Sequence, residues 1–232
     1  YDMATAGFTI TEERKESVDF SEVYTTADLV YIVNGEQKEV SFIDSLRSSF
    51  EKTFVKESRW KLIVEGIGIT LLISIGAVVF GTLIGFGLYM LRRSQFGIVV
   101  RITKLAAGVY SRIIAGTPAV VILMILYYIV FGKVDISGVI VAIVAFALMF
   151  GSFVYENMIV SVEGIDKGQA EAAYALGYSK DRTFFRIILP QSMRVFLPTY
   201  SGEIVSLIKG TAVVGYIAVN DLTKMGDIIR SN

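Results

Sequence analysis

The sequence predicts an all-α bundle of transmembrane helices, preceded by a short polar α/β segment at the N-terminus. Two observations predict this fold class. Of the 232 residues, 53% are hydrophobic and 19% are charged, which is too apolar for an ordinary soluble domain. The charges are also segregated, since residues 1–61 carry 20 of the 44 charged side chains and residues 62–161 carry nine. A polar head therefore precedes a body that is apolar enough for a lipid bilayer.

The composition excludes several function classes. The chain contains neither His nor Cys, which removes imidazole acid–base chemistry, thiolate nucleophiles and Cys/His metal sites. Because it also lacks paired carboxylates at close spacing, a membrane enzyme is the least favoured hypothesis. The 22 basic side chains equal the 22 acidic ones, so nothing indicates a partner made of nucleic acid. No metal site is predicted.

Three uncharged segments have the length of about 20 residues that a spanning helix needs. They are residues 66–91, 113–132 and 136–155, and a fourth apolar region, 195–220, is interrupted by two charges. The first segment contains Gly81-x-x-x-Gly85. Such a spacing can bring two helices into close contact, but glycine is also common in membrane helices, and the spacing alone favours the second explanation.

A mixed stretch, residues 98–112, lies between the first two predicted spans. Its Arg101, Lys104, Gly108 and Arg112 fall on one helical face. We interpret it as the cationic, cytoplasm-proximal start of the second span. The alternative is a separate helix that lies on the membrane surface.

The loop after the third span predicts two short helices. The first begins near Asp166, carries small residues at 170, 172, 173 and 175, and stops at Gly177. The second extends from about residue 179 to residue 189 and ends before Pro190. The alanines on the surface of this pair of helices leave room for another protein to pack closely, and Leu176 and Phe184 could fill a groove of that partner. The alternative is an inert loop between spans.

This loop reads Glu171-Ala-Ala-x-x-x-Gly177, then nine residues, then Ile187-x-Leu-Pro190. It resembles the EAA signature of ABC importer permeases, and Gly116-Thr117-Pro118 resembles the polar amino acid (His/Glu/Gln/Arg/opine) subfamily. The resemblance implies a MetI-like permease fold. It also implies coupling helices that dock on a separate ATP-binding subunit, which would hold ATP and Mg²⁺, with no cofactor in this chain. The implied coupling residues are Gln169, Glu171, Ala172, Ala173, Leu176, Gly177, Ile187 and Pro190.

The resemblance further implies a second permease chain, which we expect to be identical, and an amino acid substrate. Since a charge inside a membrane has a high free-energy cost unless it is paired or hydrated, charged or polar residues of the spans are candidates for the translocation path. These are Glu156, Glu203, Lys209 and Thr211. The alternative is that Glu156 and Lys209 lie near the interface. The family has a fifth span beyond the position of Asn232, so we expect this chain to be truncated.

The head, residues 1–35, resembles the first lobe of periplasmic amino acid-binding proteins. On that resemblance Gly7, Thr9 and Arg14 form a partial substrate site, in which the guanidinium binds the ligand carboxylate. We therefore divide the chain into this lobe, an amphipathic linker helix (36–61) and a permease domain (62–232) with a cytoplasmic coupling loop (162–194).

Orientation follows from the loop charges and the head. Arg92 and Arg93 after the first span share a side with the basic loop after the third, and the positive-inside rule places that side in the cytoplasm. A receptor-like head faces outward, so we expect the N-terminus outside the bacterial cytoplasmic (inner) membrane. The leading hypothesis is an ABC importer permease for polar amino acids. The alternative is a passive ligand-gated channel with a receptor-like head.

Overall fold

The computed structural model describes residues 42–55, 58–94 and 97–231. Of the described residues, those from Leu46 onward belong to one compact unit. The predicted receptor-like head, with Gly7, Thr9 and Arg14, lies outside the described residues. In the described residues the helices are α1 (Phe42–Phe50), α2 (Trp60–Arg92), α3 (Gly97–Gly116), α4 (Ala119–Met124), α5 (Gly138–Glu163), α6 (Lys167–Ala175), α7 (Lys180–Thr183), α8 (Leu189–Gly210) and α9 (Leu222–Ser231). Helix α1 falls in the range of the predicted linker. Three π-helical turns (Glu51–Val55, Ile125–Val130, Phe184–Ile188) and a 3-10 helix (Thr211–Ile217) complete the described secondary structure.

Helix α5 is the centre of the bundle. It contacts α2, α3, α4 and α8, and its contact with α2 is the most extensive between described helices. Its side chains are buried along almost the whole length, from Val141 and Ala142 to Tyr155 and Ser161, each at most 1% exposed. Helices α2 and α5 are each long and apolar enough to cross a membrane, which confirms the first and third predicted spans.

Glycines bring α2 and α5 into close contact. Gly81 and Gly85 are buried, and a Cβ atom on Gly81 would lie 2.8 Å from the carbonyl oxygen of Ala147. A Cβ atom on Gly85 would lie 2.6 Å from the Cβ of Val154 and would overlap the carbonyl of Gly151. The favoured explanation from spacing, that these glycines merely reflect membrane composition, is therefore wrong, because no larger residue fits this seam.

The predicted second span is broken. Helix α3 ends at Gly116, α4 begins at Ala119, and the pair is bent by 111° between them. Pro118 lies at the break in an extended conformation, and it has no N–H group with which to continue a helix. The uncharged run 113–132 is therefore not one straight span. Helix α4 instead packs against the 3-10 helix, and the Tyr128 hydroxyl donates to the carbonyl of Tyr216 at 3.4 Å.

Helix α3 contacts both central helices of the bundle. It packs against α2 and α5, and the Tyr110 hydroxyl donates to the carbonyl of Leu148 in the middle of α5. By length and composition α3 and the segment after the bend pass as one broken span, so the interpretation of α3 as the start of the second span stays a prediction.

The fourth apolar region forms α8 and the 3-10 helix, followed by α9 after a second bend, of 57°. Counting each bent pair as one span gives up to four crossings among the described residues. The predicted helix end before Pro190 is wrong. The π-helical turn runs into α8, and Pro190 lies in the first turn of that helix, where no hydrogen bond from its nitrogen is required.

Candidate functional site

The loop between α5 and α8 folds into a compact elbow, which we define as residues 164–189. Its first helix, α6, begins where the Asp166 carboxylate accepts a hydrogen bond from the Gly168 amide at 2.6 Å. It ends at Gly177, whose φ of +80° lies in the left-handed region. Around this glycine the Tyr178 amide donates to the Ala173 carbonyl at 3.0 Å, and the Gly177 amide donates to the Tyr174 carbonyl at 2.9 Å. This is the Schellman termination, and both predicted ends of the helix are confirmed.

The elbow exposes small, apolar and polar side chains to its surroundings. Leu176 is 78% exposed, and Gln169, Glu171, Ala172 and Gly177 are also exposed. Ala173 is buried, so it belongs to the packing of the elbow and not to its outer surface.

One aromatic prediction is corrected. Phe184 is only 5% exposed and cannot enter a partner's groove, whereas its neighbour Phe185 is 50% exposed. Phe184 packs inward against Tyr89 of α2, with ring centroids 6.1 Å apart. Both rings lie in the π-helical turn Phe184–Ile188.

Arg93, directly after α2, holds the elbow to the end of that helix. Its guanidinium lies 4.1 Å from the Phe184 ring centroid and 5.6 Å from that of Phe185, in cation–π geometry. Its Nη2 donates to the Asp181 carboxylate at 2.7 Å and to the Lys180 carbonyl at 3.2 Å. Four contacts from one side chain therefore fix the second half of the elbow against α2.

Arg92 makes the matching contact to the end of α5. Its guanidinium donates to Glu163 at 3.2 Å and to the Tyr155 hydroxyl at 3.3 Å. The two arginines thus place the end of α2, the end of α5 and the elbow at one end of the bundle, as the loop charges predicted. Sequence reasoning used both arginines only to orient the chain and missed these contacts.

The last two signature positions lie where the elbow joins α8. Ile187 is half-buried and Pro190 is exposed. The side chain of Gln191 donates to the Ile187 carbonyl at 2.9 Å and to the Gln169 side chain at 3.4 Å, which ties α6 to the start of α8. The elbow is therefore connected to three helices of the bundle.

The four candidates for the translocation path occupy different environments. Glu156 and Lys209 are exposed, and Glu203 is half-buried on α8. Within the described ranges, none of these three charges forms an ion pair. Thr211 is 1% exposed, and its hydroxyl donates to the Ile208 carbonyl at 2.8 Å, so it faces the interior of the chain.

Comparisons with known proteins identify the class of this chain. Residues 96–231 match the family described as "Binding-protein-dependent transport system inner membrane component". The chain belongs to this family. It is 34% identical to the L-cystine transport system permease protein TcyB of Bacillus subtilis over 72% of this chain and 70% of that protein. It is 32% identical to the arginine transport system permease protein ArtQ of the same organism, over 70% and 73%.

A solved structure agrees with this assignment. The chain resembles the crystal structure of an amino acid ABC transporter with histidines, with a TM-score of 0.67, 28% identity and 83% coverage of both chains. The MetI-like permease fold is confirmed. The chain is a membrane-spanning transport subunit of an ABC importer, and a separate subunit hydrolyses ATP, so the channel hypothesis has no support.

A buried polar cluster inside this permease was not predicted. Asn157 of α5 is 9% exposed; its amide donates to the Phe196 carbonyl at 3.3 Å and accepts from the Thr199 hydroxyl at 2.9 Å. The Ser161 hydroxyl, fully buried, donates to the same amide at 3.4 Å. Since each group has a partner, the cluster joins α5 to α8 inside an apolar bundle. In the sequence, the one sign of this cluster is that Asn157 directly follows the charged Glu156 within an apolar run.

Proposed function

We propose that this permease imports polar amino acids and that its elbow is the surface on which the ATPase docks. The observation that carries the docking proposal is the elbow itself, a capped and clamped pair of short helices that exposes small side chains and the apolar Leu176 beside Gln169 and Glu171. Alanine and glycine allow a second backbone to approach, and an exposed Leu176 supplies an apolar anchor. An exposed apolar side chain among small ones is typical of a surface that binds a partner.

Movement of the ATPase reaches the spans through the contacts of the elbow. Arg93 links it to α2, Gln191 links it to α8, and Gly164 joins it to α5. A displacement of the elbow therefore moves the ends of all three helices. ATP and Mg²⁺ belong to the ATPase subunit in this proposal, and the permease supplies the moving wall of the path.

The substrate class rests on the relatives. The similar permeases are named for L-cystine and arginine, and the similar structure is that of an amino acid transporter. We propose that two identical chains enclose the path, with the elbow in the cytoplasm and the N-terminus outside. Residues 1–35, with Gly7, Thr9 and Arg14, would then lie on the side from which substrate arrives.

The docking proposal is tested by filling the small-residue surface. Ala172→Trp places a bulky ring on the exposed face of α6, whereas Ala106→Trp places the same ring on an exposed position of α3. We expect Ala172→Trp to abolish co-purification with the ATPase subunit and ATP-driven uptake of labelled amino acid into vesicles. Ala106→Trp should retain both. Normal co-purification of the Ala172→Trp variant would contradict the proposal.

A further inference from the structure

Helix α1, which precedes the first span, has one apolar side that is largely exposed. Its four large apolar side chains, each more than half exposed, are Phe42, Ile43, Leu46 and Phe50. At about 100° per residue these four positions fall within an arc of about 100°, which we call the apolar arc, and every polar residue of α1 falls outside it. The helix therefore has two sides of opposite polarity.

The apolar arc continues into the π-helical turn that follows α1. The ring of Phe54, in the turn Glu51–Val55, packs against the Phe50 ring with 4.8 Å between centroids. This turn also contacts α2. The arc therefore belongs to a segment that leads directly into a membrane-spanning helix.

The start of α2 marks the level of the lipid–water interface. Its first residue, Trp60, is exposed, and tryptophan is enriched at that interface. The charged Arg59 and Lys61 flank this tryptophan, and the uncharged run 66–91 follows. Helix α2 has 33 residues, which gives a length of about 50 Å at 1.5 Å per residue. Its start therefore lies far from Arg92 and the elbow, at the other end of the bundle.

The connection between α1 and α2 is too short to carry α1 away from the membrane. Val55, the last residue of the π-helical turn, precedes Trp60 by five residues, which span at most about 18 Å when fully extended. Ser58 within this connection has a φ of 55°, in the left-handed region, so α1 does not continue into α2 as one straight helix. Helix α1 is therefore a separate helix held within reach of the lipid–water interface.

A lipid surface suits the apolar arc better than a stable protein partner does. Four such side chains offer on the order of 500 Å², whereas a stable protein interface needs about 800 Å² from each partner. The polar side of α1 carries one acidic and one basic residue, Asp44 and Arg47, so it offers no net charge to a charged partner. An amphipathic helix at a membrane surface buries its apolar side about 5–10 Å into the boundary between headgroups and acyl chains.

We propose that α1 lies in the lipid–water interface at the end of the bundle opposite the elbow, with the apolar arc toward the acyl chains and with Asp44 and Arg47 toward water. The inference goes beyond the proposed function, since it requires neither the ATPase subunit nor a particular substrate. Because the charges of α1 cancel, burial of the apolar arc holds the helix at the membrane, and attraction to anionic headgroups does not.

The test attaches single nitroxide labels to the cysteine-free chain, reconstituted in vesicles of phosphatidylcholine. Leu46→Cys places the label in the apolar arc, and the neighbouring Arg47→Cys places it on the polar side. Electron paramagnetic resonance measures how often each label collides with oxygen, which concentrates among acyl chains, and with a polar nickel chelate, which stays in water. We expect the ratio of oxygen to nickel collisions to be several-fold higher for Leu46→Cys than for Arg47→Cys. A second pair, Phe50→Cys and Asp44→Cys, should show the same contrast.

Three results would overturn the inference. The first is a label at Leu46→Cys that the nickel chelate reaches as readily as it reaches Arg47→Cys, which would place the apolar arc in water. The second is a label at Leu46→Cys that neither reagent reaches, which would show that protein covers the arc. The third is a contrast that appears only after the anionic lipid phosphatidylglycerol is added, because the inference predicts the same contrast without it.

Discussion

Replacing Gly85 by alanine tests the packing of the two central spans. The new Cβ would lie 2.6 Å from the Val154 Cβ and 2.9 Å from the Tyr155 nitrogen, and would overlap the Gly151 carbonyl. Most of these atoms are backbone, so the helices must move apart. Overpacking of this kind costs about 1–3 kcal/mol. The gain from removing a helical glycine is about 0.5–1 kcal/mol, which leaves a net loss centred near about 1 kcal/mol and reaching about 2.5 kcal/mol.

Gly87→Ala is the matched control, because Gly87 lies on the same helix and a Cβ atom there would have no neighbouring atom within 4 Å. The assay is reversible unfolding of the purified permease by titration with a denaturing detergent, followed by circular dichroism. We expect the free energy of unfolding to fall for Gly85→Ala and to stay equal or rise slightly for Gly87→Ala. Equal stability of the two variants would refute the close contact between α2 and α5.

Three further predictions concern the elbow and the polar cluster. Arg93→Gln removes the cation–π contact with Phe184 and the ion pair with Asp181, and we expect the assembled complex to import several-fold less substrate per ATP hydrolysed. Replacement of the exposed Arg230 by Gln is the control. An unchanged ratio of import to hydrolysis in Arg93→Gln would show that Arg93 does not couple the elbow to α2. Gly177→Ala places a side chain on a left-handed residue at a cost of about 1–2 kcal/mol, so amide hydrogen exchange should accelerate over α6. The control, Gly202→Ala, should leave that exchange unchanged. Equal protection of α6 in both variants would argue against the helix termination at Gly177. Asn157→Leu leaves buried partners unsatisfied, so the free energy of unfolding should fall by about 0.5–2 kcal/mol in the detergent assay, and a stability equal to wild type would show that the cluster is dispensable.

The parts of the fold that sequence alone predicted are those that depend on local properties. The spans α2 and α5 follow from long uncharged runs, because the bilayer requires that length. The limits of α6 follow from Asp166 and Gly177, because capping and left-handed termination involve only neighbouring residues.

The wrong predictions share a physical cause. Hydropathy measures how apolar a run is, but it does not detect a change of direction, so the 111° break at Pro118 went unseen. The rule that proline stops a helix fails at Pro190, because Pro190 lies in the first turn of α8 and the first turn of a helix tolerates proline. Gly85 is required because the Gly151 carbonyl on α5 lies against it, and a spacing rule for one helix does not include a neighbouring helix.

The contacts that hold the site together are distant in sequence. Arg93 and Asp181 are 88 residues apart, and Asn157 and Thr199 are 42 apart. No local pattern connects such pairs, so only the packing of α2, α5 and α8 reveals them.

Cross-linking from the elbow tests the central proposal most directly. The chain contains no cysteine, so Leu176→Cys introduces a single thiol on the outer face of the elbow. Asp135→Cys introduces one at an exposed position before α5, at the opposite end of the bundle. Carrying a photoactivatable maleimide, Leu176→Cys should cross-link to the ATPase subunit and Asp135→Cys should not. An absence of cross-links from Leu176→Cys in an assembled complex, or equal cross-linking from both ends, would contradict docking at the elbow.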